Sequence, residues 1–82
     1  MNELEEALKE KNLIIGTERV LKALRADKLK KVLLASNVNE ETKDKVESIV
    51  KNSDAEMVNL DIDNNELGVA CKKLFAISVI GY

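Results

Sequence analysis

The chain has 82 residues, 45% of them hydrophobic and 34% charged, with a formal net charge of −2. That length predicts one domain over residues 1–82 with a small core, and the mild acidity excludes a uniformly basic nucleic-acid binder. Histidine is absent and cysteine occurs once, at Cys71, so the sequence offers neither an internal disulfide framework nor the commonest acid–base and metal-binding side chain.

Residues 2–11 read as a first helix, with Leu4, Ala7 and Leu8 spaced to share a face. Residues 13–15 are a short apolar strand and Gly16 is a turn. Thr17 is the expected N-cap of a helix to about residue 26, whose Val20, Leu21, Ala23 and Leu24 fall on one face and Arg19, Lys22 and Arg25 on the other. Residues 27–30 connect to the clearest strand, 31–36, where a continuous apolar run predicts burial on both faces. Asn39 is an N-cap for a helix from Glu40 to about Asn52, with Val46, Ile49 and Val50 inward. A strand follows at 56–60, with Met57 in the core. Asp63 and Glu66 have capping-box spacing at the start of a short helix over about 65–70. Residues 72–75 are a loop and 76–80 the last strand. The order α-β-α-β-α-β-α-β with short connections predicts a sheet between helix layers.

Charge is unevenly spread. Residues 16–31 carry Arg19, Lys22, Arg25, Lys28, Lys30 and Lys31 against Glu18 and Asp27, whereas residues 38–66 carry nine acids against Lys43, Lys45 and Lys51. One part of the molecule is basic and another acidic, which suits a localised polyanion site or, equally, a solvated helix face. The turn at Gly16 has the same two readings: an anion-receptive helix start, or an ordinary strand-to-helix corner.

Catalytic chemistry has little to work with. Cys71 has no histidine partner and reads as a core filler. The glycines Gly16, Gly68 and Gly81 are too far apart for a phosphate-binding loop or a dinucleotide fingerprint. The prediction is no enzyme, no catalytic residues, no bound metal and no cofactor. The longest apolar runs span only a few residues, so the expected location is cytoplasmic, with no membrane partner.

Four pieces combine in order: Ile14-Ile15-Gly16-Thr17 with Val20-Leu21-Lys22-Ala23-Leu24; Val32-Leu33-Leu34-Ala35-Ser36-Asn37; Asn64-Asn65-Glu66-Leu67-Gly68; and Lys73-Leu74-Phe75-Ala76-Ile77-Ser78-Val79-Ile80. Their joint spacing resembles the kink-turn RNA-binding family of archaeal and eukaryotic ribosomal proteins, nearest to its L-thirty-e branch and then to the L-seven-Ae relatives. The resemblance implies a three-layer α/β/α sandwich with a mixed four-stranded sheet. It also implies recognition of a kink-turn or similar internal loop, by a ribosomal large-subunit protein or a small stand-alone relative. The implied partners are RNA, ribosomal RNA among the candidates, and other ribonucleoprotein components.

Carried over by position, the resemblance brings Gly16 and Thr17 against the RNA through backbone and hydroxyl. It places Glu18 and Arg19 at the next contacts and Lys22 on a phosphate or base edge. Asn37 would hydrogen-bond a base, and Phe75 and Ala76 would lie against a splayed nucleotide. From chemistry alone, Asn37 is a base reader or a turn residue, and Phe75 a stacking platform or a core anchor. Gly68 reads as structural, permitting close helix packing or a turn. Glu18 departs from the family pattern, since a carboxylate can accept from a guanine edge but repels phosphate. The alternative reading is a protein-interaction module of the same fold that does not bind RNA.

Overall fold

A computed structural model describes residues 3–82 of the chain. The elements alternate as α1 (Glu3–Lys9), β1 (Ile14–Ile15), α2 (Thr17–Arg25), β2 (Lys31–Leu34), α3 (Glu40–Val50), β3 (Glu56–Asn59), α4 (Asn64–Ala70) and β4 (Val79–Gly81). The sheet has the order β1-β4-β2-β3, with β2 and β3 parallel and the other two pairings antiparallel. It is a mixed four-stranded sheet, as expected. The expected helix start at Asn2 lies outside the described residues.

Alternation along β2 divides the core in two. Val32 and Leu34 face a layer built from Val20, Leu21 and Leu24 of α2 and Val46 of α3. Leu33 faces the other way, with Ala7 of α1 and Leu67 of α4. Helices thus cover both faces, which gives the three-layer sandwich. Val32, Leu33 and Leu34 are fully buried because β2 lies inside the sheet between β4 and β3. Each of these side chains contributes about 1.5–3 kcal/mol relative to exposure.

The caps explain the helix starts. Asn39 accepts a hydrogen bond from the Glu41 N–H at 2.7 Å, and Asp63 accepts one from the Glu66 N–H at 2.9 Å, each satisfying a first-turn donor. Thr17 is not a cap. Gly16 occupies the N-cap position with φ 111° and ψ 141° and makes no side-chain cap bond. Its N–H is tied to the Val79 carbonyl at 3.1 Å, so the chain must turn one residue earlier than expected, in a conformation that favours glycine.

Two other expectations shift. Leu8 is 38% exposed, while Leu4 and Ala7 pack on the core. The last strand begins at Val79 and not at Ala76. Ile77 donates to the Asn64 carbonyl at 3.0 Å and Ser78 accepts from Ala35 N–H at 2.9 Å, so the segment before Val79 bonds mainly to neighbouring loops. At the far end, the Tyr82 carbonyl accepts from the N–H groups of Lys30 and Lys31. The Tyr82 hydroxyl reaches Glu6 at 3.3 Å, linking α1 to the last residue.

Candidate functional site

β1, β2 and β3 all run antiparallel to β4 or parallel to a strand that does. Their C-terminal ends therefore meet the start of β4 at one edge of the sheet. Gly16 leaves β1 there, Asn37 follows β2, Asn64 follows β3, and residues 72–78 lead into β4. Segments far apart in sequence converge because the topology requires it.

A groove of about 960 Å3 opens at this edge. Gly16, Thr17, Arg19, Lys22, Phe75 and Ala76 line it, bringing together most of the residues expected from sequence. Glu18 and Asn37 are not in its lining. Glu18 is exposed in the first turn of α2, where a carboxylate is favoured by the helix dipole. No side chain caps α2, and Gly16 and Thr17 at its start line the groove, so the uncapped helix start gives this end of the groove a partial positive charge.

Two lysines outside the residues expected at the site, Lys28 and Lys73, also line the groove. With Arg19 and Lys22 they make four cations, and no carboxylate is among the lining residues. The sequence signal for Lys28 is its place in the basic segment 16–31, and for Lys73 its position two residues before Phe75. Apolar side chains add to the lining: Leu13 and the β1 residues Ile14 and Ile15, Ala23 of α2 and its C-cap residue Ala26.

The loop that carries Phe75 is fixed by the end of α4. Lys73 N–H donates to the Gly68 carbonyl and Lys72 N–H to the Val69 carbonyl, both at 2.9 Å, with Lys72 in the left-handed region at φ 60°. This is a Schellman ending. Gly68 then allows the loop to lie directly on the helix, since a Cβ there would land on the Phe75 carbonyl oxygen. The result turns side chains outward: Phe75 is 62% exposed and Leu74 fully so. Phe75 is thus no core anchor.

Asn37 is held from across the edge. Its Nδ2 donates to Asn64 Oδ1 at 3.0 Å and its Oδ1 accepts from the Asn64 backbone N–H at 2.9 Å. Cys71, at the C-cap of α4, is partly packed on the core. Burial pushes its thiol pKa up, and the nearby Lys73 ammonium draws it partly back. Among the described residues no cluster of histidine, cysteine and carboxylate side chains could hold a metal ion. No helix is long and apolar enough to cross a membrane.

Residues 1–82 match the ribosomal protein L7Ae/L30e/S12e/Gadd45 family. The large ribosomal subunit protein eL30 of Sulfolobus acidocaldarius is 35% identical over 79 residues, covering 96% of this chain and 76% of that protein. The eL30 protein of Methanothermobacter thermautotrophicus is 32% identical over 69 residues, covering 84% of this chain and 70% of its own length. A Bacillus halodurans protein of unknown function has a similar structure, with a TM-score of 0.82 and 27% identity, covering 95% of this chain and 77% of the other. The chain belongs to the ribosomal protein L7Ae/L30e/S12e/Gadd45 family. The eL30 relatives are ribosomal proteins, in agreement with the expectation that the chain is not an enzyme.

Proposed function

We propose that this member of the family is an RNA-binding protein that recognises a kink-turn or a similar sharply bent internal loop, with ribosomal RNA as its natural ligand class. The observation that carries the reading is the convergence of a cationic groove and an exposed aromatic at one sheet edge. The relatives' names, large ribosomal subunit proteins, point the same way.

The mechanism is shape selection by binding. Arg19, Lys22, Lys28 and Lys73 neutralise phosphates, while the open N–H groups at the start of α2 and the close approach allowed by Gly16 receive a backbone oxygen. Thr17 offers a hydroxyl beside them. Phe75 supplies a face for an unpaired base, with Ala76 packed beside it, and Asn37 approaches from the neighbouring loop. Glu18 is suited to accept from a base amino or imino group and disfavours phosphate at its own position. A straight duplex has no splayed base for Phe75 and meets the groove only through its phosphates.

Titration into a labelled kink-turn RNA, beside a duplex of equal length, tests this. Selective binding is expected, with a logarithmic salt slope of roughly −3 if all four cations engage. Lys22→Ala should flatten that slope by about 1. Equal, weak binding to both RNAs would overturn the proposal and leave the protein-interaction module as the reading to pursue.

A further inference from the structure

Three polar groups of Asn64, its backbone N–H, its Oδ1 and its carbonyl, are engaged and tie two separate loops to one point. Its backbone N–H and its Oδ1 both engage the side chain of Asn37, at 2.9 and 3.0 Å. Its carbonyl accepts from the Ile77 N–H at 3.0 Å. The loop after β2 and the loop before β4 therefore share Asn64 as their common anchor. Ser36 N–H adds a bond to the Ile62 carbonyl at 2.7 Å, bracing the same corner.

The chemistry also fixes which way the Asn37 amide points. Its oxygen must face the Asn64 N–H and its nitrogen the Asn64 Oδ1, because the flipped amide would set donor against donor and acceptor against acceptor. A primary amide has two donors and two acceptor lone pairs. The edge that carries one of each, the edge that pairs with an adenine in two-point recognition, is occupied by Asn64. What is left is one N–H and one lone pair on opposite flanks.

We infer that Asn64 is a positioning residue for RNA recognition: it locks the Asn37 amide so that a nucleotide meets a single donor or a single acceptor, and it holds the Phe75 loop at a set distance from that amide. This rests on the RNA-binding reading above. Asn37 thus selects through one fixed hydrogen bond and through the spacing of the two loops, and Asn64 serves without touching the RNA.

Asn64→Pro tests the lock without breaking the helix. Asn64 is the first residue of α4, after the Asp63 cap, whose φ of −83° and ψ of 178° suit a residue before proline. Proline there deletes both bonds to Asn37 and keeps the carbonyl that holds Ile77. Two measurements read the result. In the free protein, the Asn37 side-chain NH2 resonances should move toward those of a solvent-exposed asparagine while the Ile77 amide stays protected. In titrations, Asn64→Pro and Asn37→Ala should each weaken kink-turn binding about three- to tenfold, leave duplex binding unchanged, and show no further loss when combined. Unmoved Asn37 resonances, or losses that multiply in the double variant, would overturn the inference. A wild-type protein that does not distinguish kink-turn from duplex would overturn the RNA reading instead, while the resonance measurement still decides whether Asn64 holds the amide.

Discussion

Replacing Gly68 by alanine adds one methyl group at the contact between α4 and the Phe75 loop. Its Cβ would sit on the Phe75 carbonyl oxygen, 3.1 Å from the Phe75 carbonyl carbon and 3.4 Å from Ala76 Cα. All three neighbours are backbone, so no side-chain rotation relieves the overlap. Two terms then compete. Alanine in a helix interior is favoured over glycine by about 1 kcal/mol, while forced overpacking costs about 1–3 kcal/mol. If helix and loop shift only enough to admit the methyl group, the protein loses up to roughly 2 kcal/mol, a fall in melting temperature of up to about 8–16 °C for a domain of this size. If the loop lifts away, stability is nearly kept, but the Lys73 and Lys72 backbone bonds to α4 loosen and Phe75 leaves its place. On the proposed RNA-binding role of Phe75, base stacking worth about 1–3 kcal/mol is then lost, so RNA affinity should fall about 5- to 150-fold. Thermal unfolding and RNA titration of the same variant separate the two routes. A Gly68→Ala protein with both wild-type melting and wild-type affinity would refute the reasoning.

Gly16→Ala is expected to destabilise by about 2 kcal/mol, roughly 8–16 °C in melting temperature. The cause is the positive φ alone, since a Cβ there meets nothing within 4 Å; unchanged melting would show that the turn relaxes freely. Cys71 should alkylate more slowly in the folded protein than in urea, because burial holds it as the thiol. Its raised pKa means that the associated stability is complete below the ordinary thiol pKa and is lost as pH climbs through the folded-state value, which denaturant midpoints measured across that alkaline range would follow. Folded and unfolded rates that coincide would contradict this placement of the thiol.

What the sequence revealed was whatever depends on near neighbours. The apolar faces of α2 and α3, the caps at Asn39 and Asp63, and the burial of β2 all follow from spacing within a few residues, and each is found. Its misreadings share a cause. Thr17 lost the cap position to Gly16 because the Gly16 N–H is drawn to Val79 across the sheet. Ala76–Ser78 reads as strand by composition, yet its bonds go to Asn64 and Ala35. Likewise, nothing adjacent to Asn37 indicates that its amide edge is filled by a residue 27 positions away. Of the two readings left open for Phe75, exposure chose the outward one, a choice made by the Gly68 contact that spacing alone does not disclose.

The strand order also governs assembly. The parallel pair β2–β3 and the helix between them occupy one continuous stretch from Lys31 to Asn59, so they can dock after closing a short loop. β1 finds β4 only when Ile15 meets Ile80, with nearly the whole chain between them, and long closures of this kind come late in folding. The groove exists only once that last pairing is made. Its edge should therefore open first in hydrogen exchange, before the β2–β3 ladder. A ligand that bridges α2 and the Phe75 loop would fasten the final seam of the fold, and its binding energy would appear directly as added stability.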